Sequence, residues 1–245
     1  MIRLTPLALL LALSACSTDA TEAGGGTAAD QAPVTETQVD ENTPAEPTAQ
    51  EQAIIESFHA LQAACLDRNG AKVREQFAQA TRQHWVHIKD LAMNADKQSL
   101  RRESMVVQLA VLVLRAKAGF EKLESFDEVG MIQYALENNL LGNQMVMGIE
   151  PRDIEIDGDH AVSGAMEGHS GKPMEIRYGF AFESGAWRVD LAPAYQMANE
   201  IFAAKRAAHG VPGDEEEALY FLVGNATGTA GTEALWTPLS DLADN

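Results

Sequence analysis

The chain has 245 residues, 46% of them hydrophobic, with 36 Asp and Glu against 18 Lys and Arg and a formal charge of −18. That length supports one domain with a sizeable core, and the acidity argues against nucleic acid or an anionic lipid surface as partner, since both need basic patches. Two cysteines are too few for a disulfide framework.

Met1-Ile2-Arg3 forms a short positive start, and Leu4 to Leu13 is apolar but for Thr5 and Pro6. The run is about half the ~20 residues that a spanning helix needs, which fits a secretory signal and not a membrane span. The Leu13-Ser14-Ala15-Cys16 order at its end resembles the lipobox of bacterial lipoproteins. The resemblance covers residues 1–16. It implies that the Cys16 thiol takes a diacylglycerol, that the signal 1–15 is cut away, and that the new amine is acylated. Each buried methylene contributes ~0.8 kcal/mol, so two or three acyl chains, palmitate among them, anchor a protein firmly. Ser17 follows the cysteine, where an Asp would retain a lipoprotein at the inner membrane in enteric bacteria. The expected location is therefore the cell envelope, on the periplasmic face of the outer membrane.

Residues 17–48 are mostly Thr, Ala, Glu, Gly and Pro, and positions 17–50 carry seven acidic residues with no Lys or Arg. Such a stretch buries too little surface to offset its ordering entropy, so 16–48 reads as a disordered acidic linker with a reach of ~30 Å. Folded structure is expected from Thr48, which has capping-box spacing with Glu51 ahead of the stripe Ile54, Phe58, Leu61 and Cys65. Cys65 lies on that stripe without a base beside it, as a small buried hydrophobe and not a nucleophile. Asn69-Gly70 ends the first helix. A second is expected from about Ala71, with Val73 and Phe77 inward, through Trp85 and Ile88. Residues 97–118 hold neither Gly nor Pro, and Met105 to Leu114 is nearly all apolar, which reads as a central helix with Arg115 and Lys117 in its last turn and Gly119 as cap. Ser125 and Glu128 form a second capping box before Val129, Ile132, Leu136 and Leu140, closed by Gly142.

The period then changes to two. Ile154 and Ile156 alternate with charges up to the turn Asp157-Gly158-Asp159, and Val162, Gly164 and Met166 are expected to continue their face. Met174, Ile176, Tyr178, Phe180 and Phe182 form a longer strand, and Ser184-Gly185 turns it into Trp187, Val189 and Leu191. This predicts an antiparallel meander with one apolar face, covered by the helices before it. Helices first, then a meander with Asp157-Gly158-Asp159-His160-Ala161-Val162 at one hairpin and Gly185-Ala186-Trp187-Arg188-Val189-Asp190-Leu191 closing it, resembles the nuclear transport factor 2-like superfamily. The resemblance is best over 145–192. It implies an α+β fold in which N-terminal helices pack on a curved antiparallel sheet to make a cone, with a pocket between them. The additional C-terminal helices expected at about 194–208 and 214–223 bear on whether that pocket is open. The expected division is 1–15 signal, 16–48 linker, 49–224 α+β domain and 225–245 acidic flexible tail.

The pocket candidates are Trp85, Tyr134, Tyr178, Phe180 and Trp187, and Tyr178 is the only polar side chain on the inward register. His84 and His87, at i, i+3 in His84-Trp85-Val86-His87, are the weak polar candidates. They lack the third ligand a zinc site needs, so no metal and no cofactor is implied. His160 and His169 lie at turns. Gly168-His169-Ser170-Gly171-Lys172 misses the nucleophile-elbow pattern by its Lys and lies within a hairpin. The Gly-rich run from Gly224 to Gly231 follows no strand and is no phosphate cradle. Trp236 and Leu239 are the apolar points of the tail, which could dock on the domain or bind a partner. Some superfamily members are isomerases or hydro-lyases using an Asp or His inside the cone, but no such position transfers here. No catalytic residue is assigned. The expected role is a non-catalytic envelope module for a small apolar ligand or an envelope protein. The alternatives are an assembly lipoprotein acting through its surface, or an isomerase or hydro-lyase with a helix-borne His or Tyr.

Overall fold

The computed structural model describes residues 46–141, 149–168, 173–174, 176–205 and 214–243. The sequence expected to be a lipobox (Leu13-Ser14-Ala15-Cys16), the expected linker up to residue 45, the expected helix end at Gly142 and the expected hairpin loop at 169–172 lie outside these. The fold is α+β: ten α-helices among the described residues, most of them before a curled, antiparallel half-barrel sheet.

Helix α1 (Ala49–Leu66) starts as its spacing predicts. The Thr48 hydroxyl accepts from the Glu51 N–H at 3.3 Å, and the Glu51 carboxylate accepts from the Thr48 N–H at 2.6 Å. Its stripe of Ile54, Phe58, Leu61 and Cys65 is buried. The helix is fastened to strands at both edges of the sheet: Ser57 Oγ donates to the Trp187 carbonyl at 2.9 Å, and Gln62 Nε2 donates to the Ile149 carbonyl at 2.7 Å.

The expected second helix is two. Asn69 caps α2 (Gly70–Gln76) rather than closing α1, and α3 runs Gln79–Asn94. Between them Phe77 and Ala78 are extended, with ψ of 138° and 153°. Phe77 bridges Val189 in parallel, and the Ala78 N–H donates to the Val189 carbonyl at 2.9 Å. The break gives an edge strand a partner, which a continuous helix would not have done.

A short α4 (Lys97–Leu100) precedes the central α5 (Met105–Lys117), which is buried at Val106, Val107, Leu109 and from Val111 to Leu114. Gly119 opens α6 (Phe120–Glu124) instead of capping α5, which Ala118 does. The cap of α7 (Glu128–Glu137) is Asp127, whose carboxylate accepts from the Gly130 N–H at 2.7 Å, while the expected Ser125 ends α6.

Strands β1 (Ile149–Asp157) and β2 (His160–Gly168) meet at Gly158-Asp159, with Gly158 left-handed at φ 59°. The two-residue β3 (Pro173–Met174) also pairs with β2; β4 is Gly179–Glu183 and β5 is Ala186–Asp190, in the order β1-β2-β4-β5. The tight turn sets the register, and it differs from expectation by one residue. Ile156 faces Ala161 and Ile154 faces Ser163, and Ala161 and Ser163 are buried. Val162 lies opposite Glu155 and is 37% exposed. A slip of one residue exchanges the two faces of a strand. The long strand expected from Met174 to Phe182 is also divided: Ile176 and Tyr178 are buried but outside regular strand, and Phe182 is 43% exposed. Trp187, Val189 and Leu191 point inward as predicted.

After the sheet come α8 (Ala192–Lys205) and α9 (Glu215–Thr227), the latter capped by Asp214 and closed by left-handed Gly228. The tail does not fit the expected flexible segment. A 3-10 turn (Glu233–Trp236) and α10 (Leu239–Ala243) pack back, burying Trp236 and Leu239.

Candidate functional site

The interior brings together His84 and Trp85 from α3, Tyr178 beside β4, and Tyr195 from α8. Trp85 is 2% and Tyr178 1% exposed, and the His84 ring stacks on Tyr195 with centroids 4.7 Å apart. Four polar atoms here are buried with no hydrogen-bond partner: His84 Nε2, Trp85 Nε1 and the hydroxyls of Tyr178 and Tyr195. Trp85 lies close enough to favour the ionised form of Tyr195, yet the two make no hydrogen bond of good geometry. Burial raises both phenols well above the ordinary tyrosine range. Burial also lowers His84, helped by His87, while Glu103 and Asp190 pull the other way. The imidazole is therefore neutral at pH 7.

Asp190 Oδ1 accepts from Thr81 Oγ1 at 3.1 Å and from the Ala192 N–H at 3.0 Å. The cavity beside His84, Trp85 and Tyr195 has a volume of about 20 Å³, against roughly 300–1,000 Å³ for ligand pockets. Among the described residues no cluster of three or more His, Cys, Asp or Glu could hold a metal ion.

The other candidates lie apart. Tyr134 packs on Phe126 at 5.4 Å, with the Lys122 ammonium 4.8 Å from its ring centroid. Phe180 fills space against Phe58 at 6.4 Å. Trp187 meets Phe182 edge-on at 5.4 Å and lines a surface groove of about 660 Å³ between the start of α1 and the hairpin turns. His87 is exposed, 3.3 Å from Glu103. Cys65 is buried, and burial pushes its thiol up to about 12. Tyr195 was not among the candidates from sequence. Its one local signal is its place in the first turn of the helix that follows inward-facing Leu191, which carries it back over the sheet.

A second surface cleft, of about 670 Å³, lies by the start of α9. Of its charged groups, Glu216 and Arg101 belong to an ion-pair network with Lys97 and Glu233. Lys97 bridges Glu216 at 3.0 Å and Glu233 at 2.8 Å, Arg101 pairs with Glu216, and the Tyr220 hydroxyl donates to Glu216 and accepts from Trp236 Nε1 at 2.7 Å. Burial opposes ionisation of Glu216, but Tyr220, Lys97 and Arg101 together hold its carboxyl down at about 2. No family model, curated protein or solved structure matches the chain.

Proposed function

We propose that this is a lipid-anchored protein of the bacterial cell envelope that acts through its surface on a protein partner, with no internal ligand pocket and no catalysis. One observation carries the proposal: the space among the inward-facing aromatics is about 20 Å³, more than tenfold below what a small-molecule site needs. This favours a module that acts through its surface over one that holds a small apolar ligand inside the cone. An isomerase or hydro-lyase needs room for substrate beside its base, and His84 has none.

The anchoring part rests on Leu13-Ser14-Ala15-Cys16 at the end of an apolar run too short to span. No described helix is long and apolar enough to cross a membrane. The order of elements, with helices preceding a curled antiparallel sheet and α1 crossing it, supports a nuclear transport factor 2-like cone whose interior side chains have filled.

Native mass spectrometry of the mature protein, released from the envelope in mild detergent, tests the closed interior. The expected spectrum is the acylated polypeptide alone; a stoichiometric small molecule that survives desolvation would overturn it. For the anchor, Cys16→Ala should abolish labelling by radioactive palmitate, and persistent labelling would remove Cys16 as the acylated residue.

A further inference from the structure

We propose that Asn69-Gly70, at the joint of α1 and α2, is a deamidation site that the folded chain holds closed through Gln133 and exposes when α2 parts from α7. It is the one Asn-Gly pair in the sequence. A glycine after asparagine leaves the side-chain amide most open to attack by the next backbone nitrogen, because no Cβ obstructs the approach. In that reaction the Gly70 nitrogen gives its proton to water or hydroxide and bonds to Asn69 Cγ, and the bond from Cγ to the amide nitrogen breaks with release of ammonia. Water then opens the five-membered imide at either carbonyl. One opening leaves aspartate; the other leaves its isomer, with the main chain running through the side-chain carboxyl.

Three features of the fold oppose ring closure. The Gly70 N–H, which must lose its proton, is buried and donates to Gln133 Oε1 at 2.6 Å. The Asn69 side chain is engaged as the cap of α2, its Oδ1 accepting from the Lys72 N–H at 3.1 Å. The Asn69 ψ is 97°. For an L-residue that angle sets the Gly70 nitrogen nearly opposite Cβ about the Cα–C bond, whereas the ring needs the two eclipsed. Gln133 fixes this torsion from both sides, since its Nε2 also donates to the Arg68 carbonyl at 3.2 Å. One side-chain amide thus spans the peptide groups before and after Asn69. Helix α7 lies directly against them: a Cβ on Gly70 would sit 2.7 Å from Gln133 Cα. Closure therefore requires α2 and α7 to separate. The two products differ in consequence. Aspartate still caps α2, because Asp and Asn rank alike at that position. The isomer lengthens the main chain by a methylene and draws Gly70 away from Gln133.

Incubation of the purified protein at mildly alkaline pH, followed by peptide mapping with mass spectrometry, tests the proposal. In urea, Asn69 should be converted ahead of the chain's other asparagines; in the native protein it should persist. Folded Gln133→Ala should lose the Asn69 amide at least about tenfold faster than the unaltered native protein, as the loss of two net hydrogen bonds implies. Equal rates in native and denatured protein, or a folded Gln133→Ala no faster than the unaltered chain, would overturn the proposal. Should that variant fail to fold, hydrogen exchange at the Gly70 amide of the unaltered protein decides. It should be slow, limited by opening; exchange at the rate of a free peptide would show that Gln133 holds nothing closed.

Discussion

Arg115, in the last turn of the central helix, donates to the carbonyl of Trp236 at 2.9 Å, tying the last tryptophan of the chain to its most buried helix. The same guanidinium donates to the carbonyls of Leu235, Leu91, Ala92 and Ala95. Three of these carbonyls belong to the C-terminal end of α3, where a cation meets the negative end of the helix dipole. Trp236 is held besides by the ammonium of Lys97 and the guanidinium of Arg101, 5.2 and 5.6 Å from its ring centroid.

Replacing Arg115 should therefore release the C-terminal segment as well as destabilise the core. Burial lowers its pKa to about 10, so it stays charged at neutral pH. Arg115→Met removes a donor from five carbonyls, of which Leu91 keeps the Ala95 N–H, and is expected to cost at least about 3 kcal/mol in urea unfolding. Trp236 emission should shift to the red at the same time. Arg115→Lys, a point charge without the planar fork, should recover only a part. A loss below about 1 kcal/mol for Arg115→Met would mean that the tail docks independently of the guanidinium.

Gly70 offers a test of sign. Propensity alone predicts that Gly70→Ala gains up to ~1 kcal/mol in a helix. An added Cβ would instead lie 2.7 Å from the backbone Cα of Gln133, whose side-chain oxygen accepts from the Gly70 N–H at 2.6 Å. Overpacking against a second helix should win, with a net loss of about 1–3 kcal/mol. Stabilisation in thermal unfolding would show that α2 and α7 can move apart freely.

His84 makes stability depend on pH. Burial lowers its pKa in the folded state below the 6.5 of an exposed imidazole, so on acidification the unfolded chain takes up the proton first. Stability from this group is complete above about pH 6.5 and falls as the pH drops from there through the folded-state value. Denaturant midpoints between pH 7.5 and 5 should decline less steeply in His84→Phe, which keeps the stacking on Tyr195 without the titration. Identical slopes would remove His84 as the cause.

Two phenylalanines of β4, two positions apart, should behave differently. Phe180 is 1% and Phe182 43% exposed. Phe180→Ala is expected to cost about 3–5 kcal/mol, and Phe182→Ala about 1 kcal/mol, chiefly its edge contact with Trp187. Equal losses would place Phe182 in the core after all.

The Cys65 thiol, raised by burial to about 12 and 6% exposed, has almost no thiolate at neutral pH. It should resist thiol reagents in the native protein and react at the rate of opening. Rapid labelling without denaturant would contradict its burial.

What the chain declares locally, the structure repeats. The box at Thr48 and Glu51, the turns at Gly158 and Gly185, the stripe from Ile54 to Cys65 and the inward set of Trp187, Val189 and Leu191 depend on spacings of two to four residues, and neighbours along the chain suffice to specify them. Elsewhere a local signal had a competitor that only another segment could decide. Phe77 and Ala78 left the helix because the edge of β5, more than 100 residues later, needed a partner.

Of the site candidates, the composition of α3 was legible and its company was not. Trp85 could be placed inward on its helix by period, with His84 beside it only as a weak polar candidate. That they meet Tyr195, that the cavity between them shrinks to about 20 Å³, and that Trp187 turns to a different groove all depend on how α8 closes over the sheet. Periodicity assigns a side chain to a face. Only the packing of distant elements determines how much space that face encloses, and so whether an inward-facing aromatic lines a pocket or fills it.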